Sequence, residues 1–294
     1  MNEHKTKRSI LASIVPNFKS LARKGPSGWM VIFGLSIVLA LVMMTALGPF
    51  VAPNDPNRTN SALITLPPSP QFPMGTNHLG QDMLSRILVG GSLMLQVSAL
   101  SVLICFAVGV PLGLFSSYVG GIPDRLVSLV VDAVYAFPGL VIAIAVAAML
   151  GPGAINMALS ISVVYIPSYF RIIRSQVLTI KELSYVEAAK AIGAKWYTIL
   201  SRYIFPNVIP SIVVVMTVNF ADAILTAAGL TFLGLGVTYD IPDWGWDLTN
   251  GKQYIASGSW WIIMFPGLMI ILLALGFTLV GEGLSEMLNP KLQK

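Results

Sequence analysis

Residues 181–210 read KELSYVEAAKAIGAKWYTILSRYIFPNVIP. Ser184 followed three residues later by Glu187 has the pattern of a capping box, in which each side chain satisfies an orphan backbone N–H of a new helix. A helix is therefore predicted to begin at that point. Ala188, Ala189 and Ala191 are strong helix formers without bulk, and Gly193 stands where a left-handed C-terminal cap is expected. The first helix should then be about two turns long. A second helical stretch follows through Trp196, Ile199 and Leu200 to Pro206. The product is a compact helix with a small-residue face and two bulky aromatics, Trp196 and Tyr197. Small faces allow close backbone approach, and exposed aromatics serve as anchors in partner pockets. The same residues also fit an ordinary amphipathic loop helix folded back on its own bundle.

Outward from this loop the chain is apolar. Of 294 residues 55% are hydrophobic and only 11% charged, against roughly a quarter charged in soluble domains. This composition defines an integral membrane protein. A bilayer core of about 30 Å needs about 20 apolar residues per helix, and six runs qualify: 29–50, one within 93–116, 126–150 interrupted by Asp132, a short but extendable 155–170, 208–233 carrying Asp222, and 260–280. The first run starts too late and is too long for a signal peptide. The single cysteine, Cys105, excludes an intrachain disulfide, and no Cys/His cluster has metal-ligand spacing. The net charge of +5 is spread between apolar runs, so it does not form a nucleic-acid patch.

The basic residues set an expected orientation, since cytoplasmic flanks are enriched in Lys and Arg. With the N-terminus inside, Lys5, Lys7, Arg8, Lys19, Arg23, Lys24, Arg125, Arg171, Arg174, Lys181, Lys190, Lys195, Arg202, Lys291 and Lys294 are cytoplasmic. Only Arg58, Arg86 and Lys252 lie on the other face. The expectation is an all-α membrane protein with six transmembrane helices and both termini cytoplasmic. Of the two sizeable outer segments, 52–91 is rich in Pro and Asn and reads as a packed loop with a short helix over 81–89. The other, 236–259, holds Trp244, Trp246, Tyr254 and the acids Asp240, Asp243 and Asp247. Its aromatics read first as an interfacial belt, with a re-entrant element lining an outer vestibule as the alternative.

An aspartate in mid-bilayer costs about 2.5 to 3.5 kcal/mol, so Asp132 and Asp222 should face the bundle interior, a cavity or a partner. Asp132 precedes Pro138 by six residues, a hinge or a packing kink, and suits a structural hydrogen-bonding role. Asp222 lies three residues after Asn219 on one helical face, and a carboxylate beside an amide can line a polar translocation route. Gly109 and Gly113 form a small-xxx-small pair for close helix packing. Gly229, Gly234 and Gly236 loosen the end of span five, as packing positions or as an outer gate.

Glu187-Ala188-Ala189, then Gly193, then Ile204-Phe205-Pro206 resemble the EAA loop of ABC importer permeases. The similarity continues through Gly75-Thr76, Leu79-Gly80, Asp82 and Leu84-Ser85-Arg86, and through Gly109-Val110-Pro111-Leu112-Gly113, Gly120-Gly121 and Asp124-Arg125. It extends through Phe137-Pro138, Gly151-Pro152-Gly153, Leu233-Gly234-Leu235-Gly236, Trp244-Gly245 and Phe265-Pro266-Gly267. The chain resembles the second, C-type permease subunit of the oligopeptide, dipeptide and nickel importer family over all but about its first 28 residues. It departs from that pattern at Gln81, where the family usually has arginine, and at His78, often an acid. Phe205 replaces the usual leucine of Ile-Leu-Pro, an apolar swap that leaves the turn intact.

The resemblance implies a type I ABC importer permease fold in the cell (plasma or inner) membrane. It implies a tail over 1–28, a first span and loop over 29–90, a five-helix core over 91–283 with its coupling loop at 181–207, and a tail over 284–294. It further implies a heterodimer with a homologous permease, two cytoplasmic ATPase subunits that carry the ATP and Mg, and an extracytoplasmic substrate-binding protein. Coupling falls to Glu187, Ala188, Ala189, Gly193, Ala194, Lys195, Trp196, Ile204 and Pro206; Asp222, Asn219 and Asp132 are candidates for the path. The chain itself is expected to have no catalytic role and no cofactor, since it lacks a G-x-x-x-x-G-K-[ST] phosphate loop. Its partners are expected to include membrane lipid and no nucleic acid. Di- and oligopeptides are the leading cargo, with oligosaccharides or nickel chelates as alternatives. A proton-coupled secondary carrier is the competing class, whose marks are paired intramembrane ionisable groups and repeated halves. Two isolated aspartates and no obvious repeat weigh against it.

Overall fold

A computed structural model describes residues 25–237 and 241–288. The tail cations Lys5 to Lys24, Lys291 and Lys294, together with Asp240, lie outside the described residues.

Helix α1 (Pro26–Val51) opens with proline in its first turn, where the missing N–H is no loss. Its buried residues recur every three or four positions, from Gly28 through Gly34 and Leu41 to Gly48, and form one inward stripe on an otherwise apolar cylinder. Helix α2 (Met83–Val119) has 37 residues, about 55 Å at 1.5 Å per residue, well beyond the bilayer core. The short helix expected over 81–89 and the span expected within 93–116 are thus one continuous element. Asp82 fixes its start by accepting from the backbone N–H of Leu84 and Ser85.

The run 126–150 differs from the single span predicted. It forms α3 (Gly121–Tyr135) and α4 (Gly139–Leu150), bent by 92° at the intervening break. Pro138 has no N–H to continue the ladder and forces Phe137 out of helical geometry, which the apolar periodicity alone did not register. The remaining long helices are α5 (Ala154–Ile180), α7 (Phe205–Phe232) and α9 (Trp261–Leu288). Short α6 (Ser184–Ala191) follows α5. A turn at Trp196–Thr198 and a π-helical segment, Ile199–Ile204, lead without a break into α7. Among the described residues five helices are long and apolar enough to cross a membrane, or six if α3 and α4 make one span.

Glycines set the closest helix approaches. A Cβ at Gly109 would lie 2.6 Å from Tyr169 Cβ, and one at Gly113 would lie 2.8 Å from Ile173 Cβ. The small-xxx-small pair therefore packs α2 in parallel against α5, as its spacing predicts. At Gly34 a Cβ would lie 2.6 Å from the Gly276 carbonyl oxygen, joining α1 to α9. At the end of α7, Gly234 takes a φ of +82° and Leu235 N–H bonds the Leu230 carbonyl at 2.9 Å, a glycine C-cap that stops the helix.

Helix α8 (Trp244–Gly251) packs on α9, α7 and α2. Trp244 is not an interfacial belt residue. It is fully buried, its indole N–H donates to the Ile87 carbonyl at 2.9 Å, and its ring covers Gly90 and Gly91 of α2. Glycine pairs that admit a large ring carry no charge or period, so the sequence offered only the tryptophan itself.

Candidate coupling helix and polar cavity

Helix α6 begins one residue earlier than the capping box requires. Leu183 occupies the N-cap position in extended conformation, Ser184 is the first helical residue, and no side chain caps the end. Glu187 is instead an acid in the first turn, favourable there for the helix dipole. The far end matches the sequence reading. Gly193 has a φ of +79°, its N–H bonds Lys190 O at 3.0 Å, and Ala194 N–H reaches Ala189 O at 3.0 Å. These two bonds make a Schellman motif.

The two faces of α6 do different things. Val186 and Ala189 are buried, and Val186 joins an apolar cluster with Cys105, Tyr169, Ile173, Ile199 and Ile204 drawn from α2, α5 and the π segment. Glu187, Ala188, Ala191, Lys195 and Pro206 are exposed, as are Ile192, Trp196 and Tyr197. Ile192 is 82% exposed, which no packing role of its own explains. Ala194 is half-buried against the same cluster and Ile204 is buried within it. Thus the small-residue surface is Ala188 and Ala191, while Ala189 is the anchor. The π segment stands just ahead of Pro206, which lacks the N–H a regular α-helix would use there.

Asn219 and Asp222 line a cavity of about 540 Å³ between α5, α7 and α9. Its walls run from Asp222 to Gln176 and Ser285, so it extends toward the α6 end of the bundle. Asn219 is 4% exposed, and its side-chain amide is turned to the buried hydroxyl of Tyr169 on α5. Asp132 does not join them. It lies on α3 before the break, 64% exposed, and accepts from Arg171 Nη2 at 2.7 Å. The Arg171 guanidinium in turn sits 3.9 Å from the centre of the Tyr135 ring.

The α8 end of the bundle carries a second polar network. Arg86 and Asp247 are both buried, and Arg86 Nε donates to the two carboxylate oxygens at 2.8 and 2.9 Å. Burial pushes the nearby Asp243 carboxyl up to about 7, Asp247 adding to the effect against the N–H groups of Trp246 and Gly245 and the charge of Arg86. His78 stacks on Tyr254 at 5.6 Å and tilts against Trp246; burial, with Arg86 second, holds its imidazole below the usual range. Gln81 and Asp82 are turned inward. Gln81 accepts from Asn77 Nδ2 at 2.8 Å, and Asp82 accepts from the Ser85 hydroxyl at 2.6 Å and from Asn54 Nδ2 at 3.1 Å.

Residues 109–294 match the family described as binding-protein-dependent transport system inner membrane component. The chain belongs to this family. Residues 29–68 also match the N-terminal TM domain of oligopeptide transport permease C. The permease is 36% identical over 255 residues to the probable D,D-dipeptide transport system permease protein of Escherichia coli, covering 87% of this chain and 85% of that one. It is 37% identical to the di/tripeptide transport system permease protein of Pseudomonas aeruginosa, covering 88% of each. Against the glutathione transport system permease protein of Pectobacterium atrosepticum the identity is 36%, covering 89% of this chain and 86% of that one. It is a multi-pass inner-membrane subunit of a transport system and not an enzyme.

Two ion pairs of the permease were missed from sequence. Arg86 and Asp247 stand 161 positions apart, and Asp124 pairs with Arg174 through two bonds of 2.7 and 2.9 Å across 50. The only signal was that a charge flanking an apolar span needs a partner. That rule names no partner.

Proposed function

We propose that this permease is one of two homologous membrane subunits of an ATP-driven importer of di- and oligopeptides, with its α6 end and both termini in the cytoplasm. The orientation rests on the Lys and Arg bias. The cargo rests on the peptide names of the relatives. The observation that carries the coupling role is the two-faced α6: Val186 and Ala189 are fixed in the core, while Glu187, Ala188, Ile192 and Trp196 present a free surface. A partner pushing on that surface would act on α5 and α7 together, because Val186 packs in one cluster with Tyr169 and Ile173 of α5 and Val208 and Ile212 of α7.

The partner best suited to the surface is a cytoplasmic ATPase subunit, one for each permease, which holds the ATP and Mg. Gly193, Ala194, Lys195, Ile204 and Pro206 set the angle between α6 and α7. The cavity at Asn219 and Asp222 is half of the path, completed by the second permease, and an extracytoplasmic binding protein delivers cargo to the α8 end. Asp132 serves as a positioning group for Arg171 rather than as a cargo contact. The test is uptake into liposomes holding all subunits, offering labelled dipeptides, oligosaccharides and nickel chelates in turn through the binding protein. ATP-dependent accumulation of peptide is the expected result. Uptake driven by a proton gradient without the ATPases would overturn the assignment.

A further inference from the structure

A second groove, of about 320 Å³, opens between the last turns of α2 and the segment that leads from α6 into α7. Pro111, Leu114 and Phe115 form one wall, and Trp196, Tyr197 and Leu200 the other. The edge of the Trp196 ring meets Phe115 with centres 6.1 Å apart and joins the two walls. Apart from the polar edges of Trp196 and Tyr197, the described lining offers one polar side chain, Ser201, whose hydroxyl donates to the Tyr197 carbonyl at 2.7 Å. Such a groove calls for apolar atoms, since an empty one forfeits dispersion contacts. What supplies them follows from α2. Leu100, Leu103, Val108, Leu112, Phe115 and Val119 are exposed on one side of that helix, about 29 Å from end to end at 1.5 Å per residue, the thickness of a bilayer core. Helix interfaces in membranes favour small residues, and Gly109 and Gly113 of α2 are spent against α5. The bulky exposed side therefore matches acyl chains better than a second helix, and the groove is continuous with it through Phe115.

We propose that this groove seats an acyl chain of an anionic phospholipid from the leaflet on the α6 side, with the headgroup at Lys195. Lys195 is exposed, and its ammonium stands 5.8 Å from the centre of the Tyr197 ring, which holds the cation at the groove wall. Trp196 and Tyr197, each about half exposed, carry the amphipathic rings that settle at headgroup level. None of the described lining residues is acidic, so a phosphate meets no repulsion from the walls. A zwitterionic phospholipid offers the same chains but balances its own phosphate, and Lys195 therefore favours the anionic one. Leu114 and Leu200 also pack on the cluster that holds Val186. A seated chain would thus back the wall on which α6 rests, making the lipid a part of the coupling end of the molecule.

The test reconstitutes the purified complete transporter in dioleoylphosphatidylcholine containing a rising fraction of brominated-chain phosphatidylglycerol or brominated-chain phosphatidylcholine. Bromine quenches tryptophan on contact, and the Trp196 signal is the difference between wild type and Trp196→Phe. Phosphatidylglycerol is expected to quench that signal at an about fivefold lower fraction than phosphatidylcholine, the ratio that one cation contributes. Lys195→Gln should bring the two lipids within about twofold of each other, and Ser201→Phe, which fills the groove, should weaken quenching by both. Equal quenching by the two lipids in the wild type, a preference that survives Lys195→Gln, or quenching undiminished in Ser201→Phe would overturn the inference. So would a Trp196 signal that neither lipid quenches, the result expected if a protein partner covers the groove. These readouts are independent of cargo, so each outcome leaves the peptide-importer reading as it stands.

Discussion

Gly193 has open space where a Cβ would stand, yet its φ of +79° lies in the left-handed region. Gly193→Ala should therefore cost only about 1 to 2 kcal/mol of local stability and leave transport largely intact. Gly193→Pro fixes φ near −65° and removes the N–H that bonds Lys190. It should uncouple ATP hydrolysis from uptake while the protein remains inserted, measured as ATPase activity against peptide accumulation in the same liposomes. At the other end, Asp243 binds its proton more tightly in the folded state than in the unfolded chain, so stability should fall as pH rises from about 4 to about 7. The slope is at most about 1.4 kcal/mol per pH unit for one proton. Asp243→Asn keeps the cap of α8 and should flatten that part of a thermal-melt pH series. Asp247→Ala strands the buried Arg86 guanidinium and should cost about 3 to 5 kcal/mol. Converting both to apolar residues should recover most of the loss, read by thermal melting in detergent.

Among the elements, α2 and α5 are held by shape. Gly113→Val puts a side chain where Ile173 already stands and should destabilise the pair by about 1 to 3 kcal/mol, measured by protease sensitivity in membranes. This contact was legible because Gly109 and Gly113 sit one turn apart in a span. Gly193 was legible for a similar reason, since only a left-handed cap explains glycine just after an alanine-rich helix. The start of α6 at Ser184 was legible but its cap was not, because serine three residues before glutamate also fits a helix whose first residue is the serine, with Leu183 in the N-cap position. At the break between α3 and α4 Pro138 marked a hinge or a kink, but not its size. The run is apolar apart from Ser128 and Asp132, and hydropathy measures transfer free energy without sensing a 92° break.

For the molecule as a whole, apolar length found the spans and the loop pattern found α6, both being local properties of the chain. The cap that Trp244, Arg86 and Asp247 build was hidden because it joins residues more than 150 positions apart. The cavity was half visible: Asn219 and Asp222 share a helix face, but Ser168 and Ser285 arrive from other helices. These parts converge on one claim, that the exposed face of α6 passes force from an ATPase to a bundle locked behind Val186. Peptide-stimulated ATP hydrolysis by the complete importer in liposomes, compared between wild type and Glu187→Lys, tests it most directly. Strong stimulation by loaded binding protein is expected in the wild type, and loss of that stimulation in the variant with the permease still inserted. Full stimulation in the variant would contradict it.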